Sequence, residues 1–495
     1  MHTLRYKLGV ALSAILLGTV TSCTDSLDVK PTSLITVASY WQKEDDAKGA
    51  LYGMYIRLRS EAVTNLFVMG EARSETLTSA LVGTLSFDRY YDNSLDANMG
   101  TLITWQTMYS VVNAANLLIK YTPTIKFTSE ASKNDILAQA YTTRAFMYYA
   151  MVRTWGALPL RTEPIEGYDP QTIQVGRSPE ADVFALIKAD LDKALSLYPT
   201  NTIAAGRSIW SKPATNALKA DVYLWTGKRM NGGQADFTKA LEACNAVQTA
   251  DVTLLPNFAD LFSYTNKGNK EILMAVRFQA LESVDNFYFN GYVANGAIPT
   301  NLEASSVSAL GVPGGNSVWS PTAAVRNQFT TDDQRRNATF RELYTVDAAG
   351  VRKLYTPIIV KGTGTVENNV RYFASDVILY RYADLLLLKA EAKNALGQDP
   401  SPEINLVRQR AYGTNAAAHV FVNGTKEQND DAILQERLLE LAYEGKRWWD
   451  LRRFGKVFDK VPSLQSKKGQ ESALLFPIST TTLSLEPLVK QNAGY

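Results

Sequence analysis

The chain has 495 residues, of which 46% are hydrophobic and 20% are charged, and its formal net charge is +2. These values are ordinary for a folded globular protein and exclude disordered and collagen-like chains. The chain has only two histidines and two cysteines, which argues against Cys/His zinc sites, disulfide frameworks, and Ser-His or Cys-His catalysis.

Residues 1–22 have the layout of a secretory signal peptide. Basic residues precede a short apolar run, and small and hydroxylated residues lead up to Cys23. The sequence Val-Thr-Ser-Cys that ends at Cys23 resembles a bacterial lipobox, in which the cysteine is acylated. The alternative is an ordinary cleavable signal with a chance cysteine. We expect cleavage before Cys23, lipidation of Cys23 and a tether over residues 23–40. Two or more acyl chains on Cys23 would anchor the protein stably to a membrane.

The charge of the mature chain bears on its partners. Removal of residues 1–22 takes away two basic residues and leaves a formally neutral chain. Nucleic-acid binding needs clustered basic side chains, so neutrality argues against it. Because the sequence after residue 22 contains no apolar run long enough for a transmembrane helix, we expect a lipid-anchored protein that does not cross the membrane.

Apolar residues at three- and four-residue steps predict helices along most of the mature chain. In chain order, the predicted helices cover about 105–119, 137–155, 180–197, 213–227, 236–249, 378–397 and 402–411. A further helix follows, with Asp430 or Asp431 as its predicted N-cap. Paired helices joined by loops predict a mainly α fold, an α-α superhelix of tetratricopeptide-like hairpins.

Two stretches lack this helical period. Residues 77–104 are polar and irregular, and residues 251–375 are rich in Asn, Gly, Thr and aromatic residues. Compact domains rarely contain so long a structureless connection, so we expect 251–375 to hold turns and short strands and to carry function. The prediction is a single domain over 41–495, in which helical parts at 41–250 and 376–495 flank this loop-rich insert.

Several motifs match one protein family in the same order along the chain. Residues 436–451, with the sequence ERLLELAYEGKRWWDL, resemble the C-terminal signature of the SusD/RagB family. Further segments that resemble this family lie at 70–75, 144–159, 381–392, 404–411 and 477–495. The common order decides the match more than any single motif. The resemblance runs from Cys23 to Tyr495.

This resemblance implies a surface-exposed lipoprotein of the outer membrane in Bacteroidetes-type bacteria. Such a protein lies as a lid on a SusC-like TonB-dependent transporter, captures a nutrient, usually an oligosaccharide, and passes it to the barrel. The resemblance thus implies binding without catalysis, and we expect no catalytic residue, metal or cofactor. Peptide capture by the same lid and barrel is the alternative, and a surface glycoside hydrolase is a more distant one.

Glu436, Glu440 and Glu444 form the strongest apparent catalytic cluster. Their spacing places them on one helix face, whereas a glycosidase needs two carboxylates that face each other across a sugar ring. Like charges at this spacing repel each other unless cations pair with them. The nearby candidates are Arg437, Arg447, Arg452 and Arg453. We therefore predict buried arginine–carboxylate pairs that support the scaffold.

Aromatic residues in the irregular stretches are the predicted ligand contacts, because the C–H faces of sugars stack on flat rings. Members of the resembled family commonly build their ligand site from these two regions. The candidates are Arg73, Phe87, Tyr90, Tyr91, Asn93, Phe287, Tyr288, Phe289, Tyr292 and Trp319, with Asp88, Asp92, Asn98, Asn286, Asn290 and Asn316 as polar neighbours. Arg73 could bind a hydroxyl pair or a carboxylate, and its alternative is a salt bridge with Glu71 or Glu75.

Overall fold

The structure, a computed structural model, describes residues 40–82, 85–167, 169–282 and 285–495. The predicted signal peptide, Cys23 and the tether before residue 40 lie outside the described residues. Residues Lys43–Tyr495 form one compact unit. Among the helices in the described part of the chain, none combines the length and the apolar character that a membrane span requires.

Among the residues described in the N-terminal half, seven longer helices build this part of the fold. They are α1 (Glu44–Val63), α2 (Leu85–Tyr91), α3 (Gln106–Tyr121), α4 (Glu130–Trp155), α5 (Glu180–Leu197), α6 (Lys212–Arg229) and α7 (Gly233–Val247). Helix α3 packs against α1 and α4, α4 packs against α5, and α6 packs against α7. Sequential packing of this kind is typical of a superhelix of hairpins.

The C-terminal helices continue the same packing. After α8 (Ala304–Leu310) they are α9 (Tyr382–Ala395), α10 (Ser401–Tyr412), α11 (Lys426–Leu441) and α12 (Arg447–Phe454). Helix α9 packs against α7, α10 and α11, so the two helical parts share one core. Shorter helical turns cover Asn65–Phe67, Val68–Ala72, Thr122–Thr124, Pro170–Ile173, Phe258–Phe262, Tyr264–Asn266, Phe287–Gly291, Asn295–Ala297, Ala323–Arg326, Arg335–Thr339, Gly413–His419, Val457–Lys460, Pro462–Lys467, Glu471–Leu474 and Thr480–Leu485.

Short strands pair two by two. They are β1 (Leu77–Ser79), β2 (Ile272–Val276), β3 (Trp319–Pro321), β4 (Phe340–Val346), β5 (Arg352–Ile359), β6 (Thr365–Glu367), β7 (Val370–Tyr372) and β8 (Val377–Arg381). The antiparallel pairs are β1–β3, β2–β8, β4–β5 and β6–β7. The mainly α fold with helical hairpins and short strands is therefore confirmed. The pair β1–β3 joins the two irregular stretches, with Leu77 opposite Pro321 and Ser79 opposite Trp319.

Three predicted helix starts are wrong. Helix α4 begins at Glu130, well ahead of the predicted start near residue 137. Residues Val377–Arg381 form β8, and the helix begins only at Tyr382, because the apolar run before it pairs with β2. Helix α11 begins at Lys426, ahead of the predicted aspartate caps. Its N-cap is Thr425, whose hydroxyl accepts the Gln428 N–H while the Gln428 side chain accepts the Thr425 N–H. The polar first turn of this helix hides its start from an apolar period.

Four of these helices were not predicted: α1, α2, α12, and α8, which lies inside the stretch 251–375. Helix α2 (Leu85–Tyr91) lies inside the stretch 77–104, which was predicted to be irregular. Helix α1 (Glu44–Val63) has three acidic residues in its first turn, a favourable place for negative charge. Its exposed face carries Tyr52 and Ile56, so apolar residues occur on two faces and blur the helical stripe.

Candidate functional site

The two irregular stretches meet at one surface around the β1–β3 pair. Backbone bonds extend the pairing beyond the strands, with the Ala80 N–H donating to the Val318 carbonyl at 3.1 Å and the Val82 N–H to the Ser317 carbonyl at 2.9 Å. We call the solvent-accessible side chains here the β1–β3 surface: Ser79, Phe87, Asp88, Asn290 and Asn316.

Hydrogen bonds connect the polar members of the β1–β3 surface. The Asn316 amide donates to the Asn290 side-chain oxygen at 3.2 Å, and the Ser79 hydroxyl donates to Asp88. Asn316 is exposed and Asn290 is half-buried, and an amide can make further hydrogen bonds as donor and acceptor. The surface therefore presents planar polar groups that can bind sugar hydroxyls.

Phe87 adds an accessible aromatic ring to these polar groups. The side chain is half-buried. Its ring meets the Trp319 ring edge to face, with centroids 5.3 Å apart. Because the buried indole fixes one side of Phe87, the remaining ring surface is held in place at the solvent boundary.

The other predicted ligand residues lie inside the protein. Arg73, Tyr90, Tyr91, Asn93, Phe287, Tyr288, Tyr292 and Trp319 are all buried. Residues in the irregular stretches were expected to be exposed, whereas these side chains pack into the core. Their contact with ligand stays a prediction, but in this conformation these side chains are closed off from solvent, and the aromatic ones present no free ring face. Phe87 and Phe289 are the predicted aromatics that remain half-buried, and Phe87 is the one that packs on Trp319 of the β1–β3 pair.

Four of the aromatic rings pack beneath the β1–β3 surface as what we call the aromatic stack: Phe67, Phe287, Tyr288 and Trp319. Phe67 and Phe287 lie nearly parallel, with centroids 4.1 Å apart, and Phe67 lies 5.2 Å from Trp319. The Phe287 and Tyr288 centroids are 4.2 Å apart. Burial raises the pKa of Tyr288 well above its ordinary value, so this ring stays neutral. The stack supports Phe87 from below.

Arg73 has a structural role that neither sequence alternative anticipated. It donates to Asn93 at 2.7 Å and to the backbone carbonyls of Ala473, Leu474 and Leu475 at 2.6 to 3.1 Å. It pairs with no carboxylate among the residues that the structure describes, so the predicted salt bridge is wrong. Burial lowers the pKa of Arg73 to about 10. With 1% exposure, this guanidinium joins the C-terminal segment to the core and is closed off from solvent.

Glu71 instead holds the loop before α12. Its carboxylate accepts the backbone N–H groups of Tyr443 and Gly445, each at 3.1 Å. The two segments touch at Gly70, where a Cβ would lie 1.9 Å from the Gly445 carbonyl oxygen. Gly445 has φ +72°, a conformation that glycine adopts without strain. Burial raises the pKa of Glu71 to about 7.

Glu71→Gln should change how stability depends on pH. A folded-state pKa of about 7, above the ordinary value of 4.5, stabilises the fold at low pH, and this contribution is lost as the pH rises through about 7. Glutamine stays neutral throughout. We expect the free energy of unfolding of the wild type, relative to the variant, to fall by about 2 kcal/mol between about pH 5 and pH 8. Urea denaturation at both pH values measures this, and a difference that does not change with pH would contradict it.

The acidic row Glu436, Glu440 and Glu444 lies in a buried ion-pair network. Arg335 contacts Glu436 at 2.7 Å, and Arg381 contacts Glu440 at 2.6 Å. Further pairs are Arg410–Glu440 at 2.5 Å, Arg381–Glu444 at 2.8 Å, Lys361–Glu444 at 2.7 Å and Arg408–Glu436 at 2.7 Å. The carboxylates are thus engaged by cations within the core, which supports the predicted scaffold role and gives no support to a glycosidase pair.

The predicted cations for this row were wrong. Arg437 pairs with Asp384 at 2.8 Å, and Arg447 pairs with Glu75 at 2.6 Å. Arg453 pairs with Glu391 at 2.9 Å, and Arg452 donates to the Arg153 carbonyl. Arg437 follows Glu436 directly on α11 and therefore points about 100° away from it, and the other three arginines lie on α12. The cations of the row come from distant segments.

Two family models match the chain. The model described as "SusD family" matches residues 202–495, and one described as "Starch-binding associating with outer membrane" matches residues 26–224. The chain is 27% identical to SusD-like protein P38 of Formosa agariphila over 516 aligned positions, which cover 98% of each chain.

Solved structures agree with this match. B. fragilis NanU is 30% identical, has a TM-score of 0.82, and is covered over 100% of its chain by 94% of this one. A SusD superfamily protein from Bacteroides vulgatus is 29% identical, with a TM-score of 0.80 and coverage of 92% of this chain and 100% of that one. Since the first family model spans more than half of the sequence, the chain belongs to the SusD family.

Proposed function

We propose that this protein captures an oligosaccharide at the β1–β3 surface and delivers it to a SusC-like TonB-dependent transporter of the outer membrane. One observation carries the site assignment: the two irregular stretches converge where Phe87, Asp88 and Asn316 are accessible. The description of the matching family model as starch-binding supports a glycan as the ligand.

The chemistry of the β1–β3 surface suits a neutral sugar. A pyranose ring can lay its C–H face on Phe87, while its hydroxyls bond the amides of Asn290 and Asn316 and the carboxylate of Asp88. A single half-buried ring and a few polar groups give modest affinity, and we expect dissociation constants between about 1 µM and 1 mM.

The proposal includes lipidation of Cys23 and exposure at the cell surface, where the protein would lie as a lid on the barrel. The family description "associating with outer membrane" supports this location. We further propose a binding protein without enzymatic activity, which the engagement of the acidic row in ion pairs supports. Release of reducing ends from a glycan that the protein binds would contradict this part.

Phe87→Ala should weaken oligosaccharide binding about tenfold, equivalent to ~1.4 kcal/mol, because it removes the accessible stacking ring. Phe87→Tyr keeps the ring and should retain the affinity of the wild type. Calorimetry of the folded mature protein against a broad panel that includes starch oligosaccharides measures both variants. Equal binding by wild type and Phe87→Ala would overturn the site assignment, and binding of peptides without any glycan would overturn the ligand class.

A further inference from the structure

A cleft lies between α1, the segment before α6 and the end of β2. Its volume is about 230 Å³, and the residues on its walls include Tyr52, Ile56, Arg59, Ile209 and Arg277. These side chains differ from those of the β1–β3 surface. We call this feature the α1 cleft.

The α1 cleft presents an exposed aromatic ring beside aliphatic side chains. Tyr52 and Ile56 are 64% and 58% exposed, and their spacing of four residues places them side by side on α1. Tyr55, which also lines the cleft, is held in place because its hydroxyl donates to the Gln139 side-chain oxygen at 2.7 Å and accepts the backbone N–H of Trp210 at 2.8 Å. A rigid wall with an accessible ring can stack against a sugar face.

One side of the α1 cleft is cationic. Arg59 pairs with Glu282 at 2.6 Å, while Arg277 approaches the same carboxylate only to 3.9 Å and donates to Gln279 at 3.3 Å. The Arg277 side chain is 57% exposed. Two guanidinium groups thus approach a single carboxylate, and Arg277 can still offer paired N–H groups to an anion. Arginine binds planar carboxylates in this bidentate manner.

The surroundings favour a sugar over an extended peptide. Peptides commonly add to an open strand edge, but β2 pairs with β8 on one side, and its other side is partly occupied. On that other side, the Ala275 N–H donates to the Arg207 carbonyl at 2.9 Å. The cleft therefore combines a ring for stacking, an exposed guanidinium and a partly occupied strand edge.

We propose that the α1 cleft binds an acidic sugar residue, with its ring on Tyr52 and its carboxylate on Arg277. This inference rests on the proposed function only in taking a glycan as the ligand. It adds a second site that would select glycans with uronic acid residues, alongside the neutral contacts of the β1–β3 surface.

Glucuronate and glucose test the proposal, because they differ only in the carboxylate. In NMR titrations of the full mature chain, glucuronate should bind at least tenfold more tightly than glucose, and added salt should reduce that difference. Arg277→Gln should lower glucuronate affinity about tenfold, and Tyr52→Ala should lower it to a similar degree. Arg229→Gln is the matched control, since Arg229 pairs with Glu471 at the far end of α6, roughly 27 Å along the helix.

Three results would overturn the proposal: equal affinity for both sugars, unchanged glucuronate binding in a folded Arg277→Gln variant, or binding of acetate as tightly as glucuronate, which would indicate a simple anion site. The proposed function fails separately, through an unaltered neutral-glycan affinity in Phe87→Ala. The two sites can therefore be accepted or rejected independently.

Discussion

Replacing Glu440 by glutamine is expected to lower the free energy of unfolding by about 3–5 kcal/mol. The Glu440 carboxylate is fully buried and contacts Arg381 at 2.6 Å, Arg410 at 2.5 Å and Arg335 at 3.2 Å. Without its charge, three buried guanidinium groups lose part of their compensation, and an uncompensated buried charge costs this much. Urea denaturation followed by tryptophan fluorescence measures the loss.

The difference in the free energy of unfolding between the wild type and Glu440→Gln should shrink in acid. Burial alone would raise the pKa of Glu440, but the guanidinium groups of Arg410 and Arg381 hold it well below its ordinary value. Its stabilising contribution is therefore present at neutral pH and is lost as the pH falls below the ordinary value of 4.5 towards the lower folded value. Lys239→Gln, which removes an exposed pair with Glu242, is the control and should cost less than about 0.5 kcal/mol. Equal stability of Glu440→Gln and wild type would refute the network's role.

Trp319→Ala should also destabilise the protein by about 3–5 kcal/mol, the usual cost of deleting a large buried aromatic side chain. The indole is fully buried between Phe67 and Phe87. Its removal leaves a cavity beneath the β1–β3 surface, so Phe87 loses its support and glycan affinity should fall indirectly. Thermal and urea denaturation, with calorimetry on the folded fraction, measure both effects.

Trp319→Phe separates support from direct contact. A smaller ring still fills part of the space, so both stability and affinity should be largely retained. If instead Trp319→Ala kept wild-type stability while losing all binding, the indole would be a ligand contact, as the sequence alone indicated, and our assignment of Trp319 to the interior aromatic stack would be wrong.

Helices with one clean apolar stripe could be predicted closely. Helix α5 was predicted over 180–197 and has those bounds, because Val183, Ile187 and Leu191 recur on a single buried face. Helix α1 carries apolar side chains on two faces, and its exposed Tyr52 and Ile56 line the proposed second site. One of the helices that the apolar period missed thus borders a surface that we propose to be functional.

The candidate site could be predicted only in part, because contacts between segments far apart in sequence bring its residues together. The family resemblance pointed to the two irregular stretches, but the pairing of Ser79 with Trp319 joins segments far apart in sequence, and nothing local encodes it. The cations around the acidic row, such as Arg335 and Arg381, are likewise distant from it in sequence. Helical spacing predicts contacts only between residues that are close in sequence. Polar residues beside the loop aromatics, notably Asp88 and Asn316, were the sequence signal closest to the observed surface.

Purification of the native lipoprotein from its own outer membrane tests the central claim most directly. The protein should be extracted in mild detergent through a C-terminal tag, and mass spectrometry should identify both the co-purifying proteins and any bound small molecule. We predict a TonB-dependent receptor in stoichiometric amount together with an oligosaccharide. Recovery without a receptor, or a receptor complex that carries peptides instead of a glycan, would contradict capture of an oligosaccharide for a transporter.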